Sequence, residues 1–110
     1  YCLLAFHQQQ AAGFALYFFN FSTWLGRSGL YLEDLFVKPE HRKKGVGSAL
    51  LQRLAQVARE QDCGRMEWAA LDWNTLATDF YDKLGAIRLE EWTTFRLERS
   101  AIEKLAEGSP

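Results

Sequence analysis

The sequence predicts an α/β (α+β) fold: a mixed, mostly antiparallel sheet flanked by helices, with one parallel strand pair near its centre. Three observations lead there. Apolar and aromatic runs of strand length open the chain at Tyr1–His7 (YCLLAFH), Gly13–Phe21 (GFALYFFNF) and Leu30–Val37 (LYLEDLFV). The period then changes to that of a helix over Gly45–Asp62, where Val46, Leu50, Leu54, Val57 and Ala58 share one face and Gln52, Gln56, Arg59 and Glu60 lie opposite. A further strand-like run, Met66–Trp73 (MEWAALDW), follows directly. A strand–helix–strand unit of this kind makes a parallel pair with a right-handed crossover.

The first two strands, joined by the polar stretch Gln8–Ala11, read as a hairpin. Ser22–Gly29 (STWLGRSG) reads as a loop, and Lys38-Pro39 closes the third strand, since Pro cannot donate to a ladder. Cys63-Gly64 is expected to end the long helix. A short helix follows Asn74 and stops at Gly85, with Leu76 or Ala77, Phe80 and Leu84 toward the core. Ile87–Leu89 and Trp92–Leu97 read as two more strands, and Ser100 is the expected N-cap of a terminal helix to Glu107.

At 110 residues the chain suits one domain, residues 1–110, and its 48% apolar and 15% aromatic content suffices for a core. A net charge of −1 provides no general attraction for nucleic acid or membrane, and no apolar run reaches spanning length. Cys2 and Cys63 are far apart and form no CxxC or Cys/His cluster, so no metal site is expected. Two free thiols and no signal peptide point to a cytoplasmic location. The chain opens at Tyr1 without a Met, directly in an apolar stretch.

The stretch HRKKGVGSALL, residues 41–51, sets three basic residues and two glycines before the long helix. A helix N-terminus carries unpaired N–H groups and the positive end of the dipole, which together bind phosphate. Gly45 and Gly47 let the backbone approach closely, and Arg42, Lys43 and Lys44 add positive charge. The stretch is neither a P-loop nor a dinucleotide-binding GxGxxG. The longer pattern Val37-x-Pro39-x-x-Arg42-x-x-Gly45-x-Gly47, placed after a strand, is far more specific than a bare GxG and reads as a pyrophosphate turn.

On these residues the chain resembles the GNAT superfamily of acetyl-CoA-dependent N-acetyltransferases, whose signature is Arg/Gln-x-x-Gly-x-Gly/Ala after a central strand. Leu30-Tyr31-Leu32-Glu33-Asp34, Leu71-Asp72-Trp73-Asn74 and Phe80-Tyr81-x-x-x-Gly85-Ala86 are similar to the diamine (spermidine/spermine) and thialysine branch, and the likeness runs from about Gly13 to Leu97. The resemblance implies a GNAT fold whose central parallel pair splays. Leu35, Phe36 and Val37 would pair with pantetheine as an added strand does. Arg42, Lys43, Lys44, Gly45, Val46, Gly47 and Ser48 would hold the pyrophosphate of acetyl-CoA. Asn74, Thr75, Leu76 and Ala77 would touch the cofactor's other side. Tyr81, two helical turns after Asn74, would donate a proton to the departing thiolate. An ordinary phenol pKa of about 10 against about 8.5 for a thiol makes that transfer feasible beside a developing charge.

Glu33 and Asp34 interrupt an otherwise apolar strand. Strict alternation puts Glu33 with Tyr31, Leu35 and Val37, and Asp34 with Leu32 and Phe36. An alkyl ammonium ordinarily titrates near pH 10 and only the neutral amine attacks a thioester, so a carboxylate that holds the cation and accepts its proton is useful here. In the branch resembled, the residue matching Glu33 plays that part and the one matching Asp34 helps bind the amine; Glu67, Trp68 and Ala69 match a substrate-contacting stretch. The implied reaction is direct transfer to a small cationic amine in a ternary complex, without a metal.

The GNAT pattern also has a strand and helices upstream of the Tyr1 strand, and this chain does not contain them. A homodimer is expected, with Trp92–Phe95 (WTTF) available for strand exchange and Trp24 available to line the acceptor site. Two other functions fit the same residues: a CoA-binding module without catalysis, and an acetyltransferase for a protein lysine or N-terminus.

Overall fold

The computed structural model describes residues 1–108, so the last two positions of the expected 1–110 domain lie outside the described residues. The chain divides into two compact units, Tyr1–Leu71 and Asp72 onward.

The first unit is a four-stranded sheet in the order β1-β2-β3-β4, formed by Cys2–His7, Gln10–Ser22, Arg27–Val37 and Arg65–Glu67. Helix α1, Val46–Glu60, lies between β3 and β4 in sequence. β1–β2 and β2–β3 are antiparallel and β3–β4 is parallel, the mixed arrangement that the sequence predicts. The first hairpin turns at Gln8 and Gln9, with φ of 51° and 69°, and His7 faces Gln10. Two left-handed residues match the twist of the flanking strands, so β2 starts earlier than the polar residues suggest. The second turn is tighter than the loop expected over Ser22–Gly29. The Ser22 carbonyl accepts from Gly26 N at 2.8 Å and its Oγ from Leu25 N at 3.2 Å.

One face of the sheet carries Gly13, Ala15 and Tyr17 of β2 beside Val37, Leu35 and Leu32 of β3. Leu50, Leu51, Leu54, Val57 and Ala58 of α1 are buried, as are Ala15, Tyr17, Leu30 and Leu32, and together these form the core. Gly13 is required by packing: a Cβ there would strike the Phe36 carbonyl. α1 ends as expected in place but not in means. Asp62 takes the left-handed position, φ 54°, and Cys63 N returns to the Ala58 carbonyl at 2.8 Å. A short Asp tolerates that backbone, and Arg27 holds its carboxylate at 2.7 Å.

The strict alternation expected along β3 does not hold. Leu16 faces Asp34 and the next residue, Tyr17, faces Leu32, so Glu33 is the extra residue of a bulge. The bulge shifts the phase: Leu35 and Val37 fall on the face of Leu30 and Leu32, while Tyr31, Asp34 and Phe36 share the other with Phe14, Leu16 and Phe18. β4 is also shorter than Met66–Trp73, because its ladder stops at Tyr31↔Glu67.

The second unit contains α2, Thr75–Lys83, and α3, Arg99–Ala106. α2 stops in a motif that places Gly85 at φ 93°, with Ala86 N on the Tyr81 carbonyl at 3.1 Å and Gly85 N on that of Asp82 at 3.0 Å. Ala77 and Phe80 are half-buried as expected, but Leu76 and Leu84 are exposed. The expected strands Ile87–Leu89 and Trp92–Leu97 do not form, since neither run has a ladder partner among the described residues. Instead Arg88 folds back to grip the Asp82 carboxylate at 2.6 and 3.2 Å. Glu98, not Ser100, caps α3, because Ile102 N already bonds the Glu98 carbonyl at 3.0 Å.

Leu54 is fully buried. Leu54→Ala should destabilise the first unit by about 2–5 kcal/mol, read as a lower urea midpoint. A loss under about 1 kcal/mol would contradict this account of the core.

Candidate active site

β3 pairs with β4 over Gly29↔Arg65, Leu30↔Met66 and Tyr31↔Glu67, and then continues alone to Val37. The parallel ladder thus ends where β4 ends, at Glu67, and among the described residues Leu35, Phe36 and Val37 are held in extended form by β2 alone. Backbone N–H and C=O groups along such an edge need partners.

The end of that edge is tied down. Lys38 N donates to the Ala12 carbonyl at 2.7 Å, and Arg42 Nε donates to the Val37 carbonyl at 3.1 Å. Arg42 thus links the strand end to the basic turn. Lys43 and Gly45 are both left-handed, φ 64° and 82°, and Gly45 is the N-cap of α1. No side chain caps this helix and no acidic residue occupies its first turn. Its first bond is Ala49 N to the Gly45 carbonyl at 2.9 Å, so Val46, Gly47 and Ser48 have no helical acceptor for their N–H groups. Arg42, Lys43, Lys44 and Ser48 are exposed, Gly47 is half-buried and Val46 is buried. A Cβ at Gly45 would meet nothing within 4 Å. Uncapped N–H groups, clustered cations and an open approach fit a pyrophosphate.

The carboxylates sit on the same strand. Glu33 and Asp34 are both exposed, because the bulge removes the alternation that would have hidden one of them. Asp34 belongs to the aromatic face with Tyr31 and Phe36. Glu67, half-buried, is the last residue of the parallel ladder and pairs with Arg65 at 3.2 Å, which offsets the negative charge expected from it. Trp68 is half-buried and Ala69 exposed just past the point of separation. Trp24 sits exposed on the β2–β3 turn.

In the second unit, Asn74 caps α2: its Oδ1 accepts from Ala77 N at 3.3 Å. Thr75 and Leu76, in the first turn, are exposed. Tyr81 is half-buried, its ring 5.7 Å from that of Phe80, and burial raises its phenol above the ordinary value. Two features escaped sequence reasoning. The bulge has no signature beyond two adjacent acids in an apolar strand. The burial of His41 is hidden by its place in a basic run.

A β3 that outruns its parallel partner and leads into an uncapped, glycine-led helix is the arrangement that the resemblance to acetyl-CoA-dependent transferases implies. The profile of the acetyltransferase (GNAT) family matches residues 1–86, and the chain belongs to that family. It is 46% identical over 97 residues to a thialysine N-epsilon-acetyltransferase of Bos taurus, covering 86% of this chain and 56% of that one. It is 39% identical over 107 residues to the Caenorhabditis elegans enzyme of the same name, covering 94% of this chain and 66% of the relative. An L-ornithine N5-acetyltransferase of Arabidopsis thaliana is 39% identical over 94 residues, covering 86% of this chain and 41% of the relative. Among solved structures, an integron cassette protein from the mobile metagenome of V. cholerae superimposes with a TM-score of 0.88 at 33% identity, covering 96% of this chain and 65% of that one. The chain thus spans just over half the length of the bovine relative.

Gly45→Ala should strain the turn by about 1–2 kcal/mol, since a Cβ is disfavoured at positive φ, and weaken CoA binding about tenfold or more by calorimetry. Unchanged affinity in a folded variant would remove this turn from the cofactor site.

Proposed function

We propose that the protein is an acetyl-CoA-dependent N-acetyltransferase for the primary amine of a small cationic substrate, a polyamine, thialysine or a similar amine. The observation that carries this is the pair Glu33 and Asp34, exposed at a bulge on the strand that continues past the end of its parallel ladder. An open edge suits an amide-bearing arm, and adjacent carboxylates suit an ammonium group. The nearby names, thialysine and ornithine acetyltransferases, describe amines of this kind.

In this proposal Leu35, Phe36 and Val37 offer their backbone to the pantetheine arm. The turn from Arg42 to Ser48 holds the pyrophosphate, and Asn74 to Ala77 supply the remaining contacts. Acetyl-CoA supplies the acyl group and a thiolate leaving group. Asp34 attracts the ammonium ion, and Glu67, Trp68 and Ala69 line the way in. Glu33 accepts the amine's proton, directly or through water, as the N–C bond forms and the C–S bond breaks. A backbone N–H of the opened strand holds the carbonyl oxygen as charge builds on it. Tyr81 returns a proton to the sulfur. The residues need no metal for this. No described helix is long and apolar enough to cross a membrane. A homodimer belongs to the same proposal.

Tyr81→Phe should lower kcat by about 10²-fold or more while CoA affinity stays within about twofold, measured by thiol release with spermidine, thialysine and ornithine. Unchanged turnover would remove Tyr81 from the acid role, and a CoA-binding chain inactive on every amine would remove the enzyme reading. The raised phenol pKa means that Tyr81 keeps its proton throughout the range where an ordinary tyrosine does. The kcat profile should therefore show no alkaline decline below about pH 10, and a decline near pH 8 that vanishes in Tyr81→Phe would contradict this.

A further inference from the structure

From Lys38 to Gly45 only one side chain is buried, that of His41, at 6% exposure. Its ring meets that of His7 edge-on, with centroids 5.6 Å apart and planes at 68°. Its backbone N–H donates to the Lys38 carbonyl at 2.9 Å within the short turn Pro39–His41. Its Nδ1 is buried and has no hydrogen-bond partner among the described residues.

The next buried side chain is Val46, in the first turn of α1. Arg42, Lys43, Lys44 and Gly45 therefore form an exposed arch between two buried anchors. Two of the four arch residues are left-handed, at φ 64° and 82°. Such conformations persist where the surrounding structure fixes both ends. Val46 fixes one end through the helix. At the other end, Arg42 reaches the Val37 carbonyl from an exposed position, which contributes little alone. The buried ring of His41 against β1 is the stronger attachment.

We propose that His41 is a positioning residue for the cofactor: its ring pins the start of the arch to the end of β1 and thereby sets affinity for the CoA pyrophosphate. This rests on the reading of Arg42–Ser48 as the pyrophosphate turn. The ring's volume and its contact with His7 do the work.

The test is calorimetric titration of CoA into wild type, His41→Ala, His41→Phe and His7→Ala, with a thermal melt of each. His41→Ala should raise Kd for CoA roughly tenfold, and KM for acetyl-CoA with it, while kcat stays within about twofold. His41→Phe refills the space and should bind within about threefold of wild type, with an equal or higher melting temperature. His7→Ala removes the same ring contact from the other side and should weaken binding in the same direction, by less. A folded His41→Ala with wild-type affinity overturns the proposal. So does a His41→Phe that binds as poorly as His41→Ala, or, if His41→Ala does not fold, a His7→Ala with unchanged affinity. A folded wild-type chain that binds no CoA sinks the pyrophosphate reading and this proposal with it. Wild-type binding with an indifferent His41→Ala sinks only the proposal.

Discussion

The end of the β3–β4 ladder at Tyr31↔Glu67, six residues before β3 itself ends at Val37, is the constraint on which the rest depends. A strand inside a sheet normally satisfies both edges, and one left open needs another partner. β3 tolerates the opening because β2 holds its other edge along the whole length, from Arg27 to Val37. The β2–β3 hairpin thus holds the end of β3 where β4 no longer does.

Three further features follow from that strand. Its bulge turns both Glu33 and Asp34 to solvent where alternation would have buried one. Burying an unpaired carboxylate would be strongly unfavourable, so the bulge also removes a penalty from the fold. Its end, held through Val37 by Arg42, fixes where the basic turn departs. The turn in turn delivers α1 with its first N–H groups uncapped. Uncapped helix N–H groups, a strand end held by β2 and two exposed carboxylates are thereby arranged along one stretch of chain, residues 33–48.

Much of this was legible in the sequence. The strands from Tyr1 to Val37, the helix from Val46 and its glycine-led start follow from periodicity and from the few residues that suit such a turn. The cap by Asn74 and the stop at Gly85 were likewise readable from local chemistry. What alternation could not show was the bulge, because an extra residue is decided by pairing with Leu16 and Tyr17, far away in sequence. The same limit applies to Trp92–Leu97, whose apolar residues suit a strand but have no ladder partner among the described residues. Propensity shows what a segment can become, and a ladder needs two segments. His41 was obscured for a similar reason, since burial depends on what β1 places beside it.

The central claim is that the opened edge of β3 takes an acyl-CoA arm as a sheet takes a strand. Amide hydrogen exchange with and without acetyl-CoA tests this most directly. The account predicts new protection in two segments, Leu35–Val37 and Val46–Ser48, with little change at the β1–β2 turn. Protection confined to the helix start would leave a phosphate site without an added strand. No protection along Leu35–Val37 at saturating acetyl-CoA would contradict the claim.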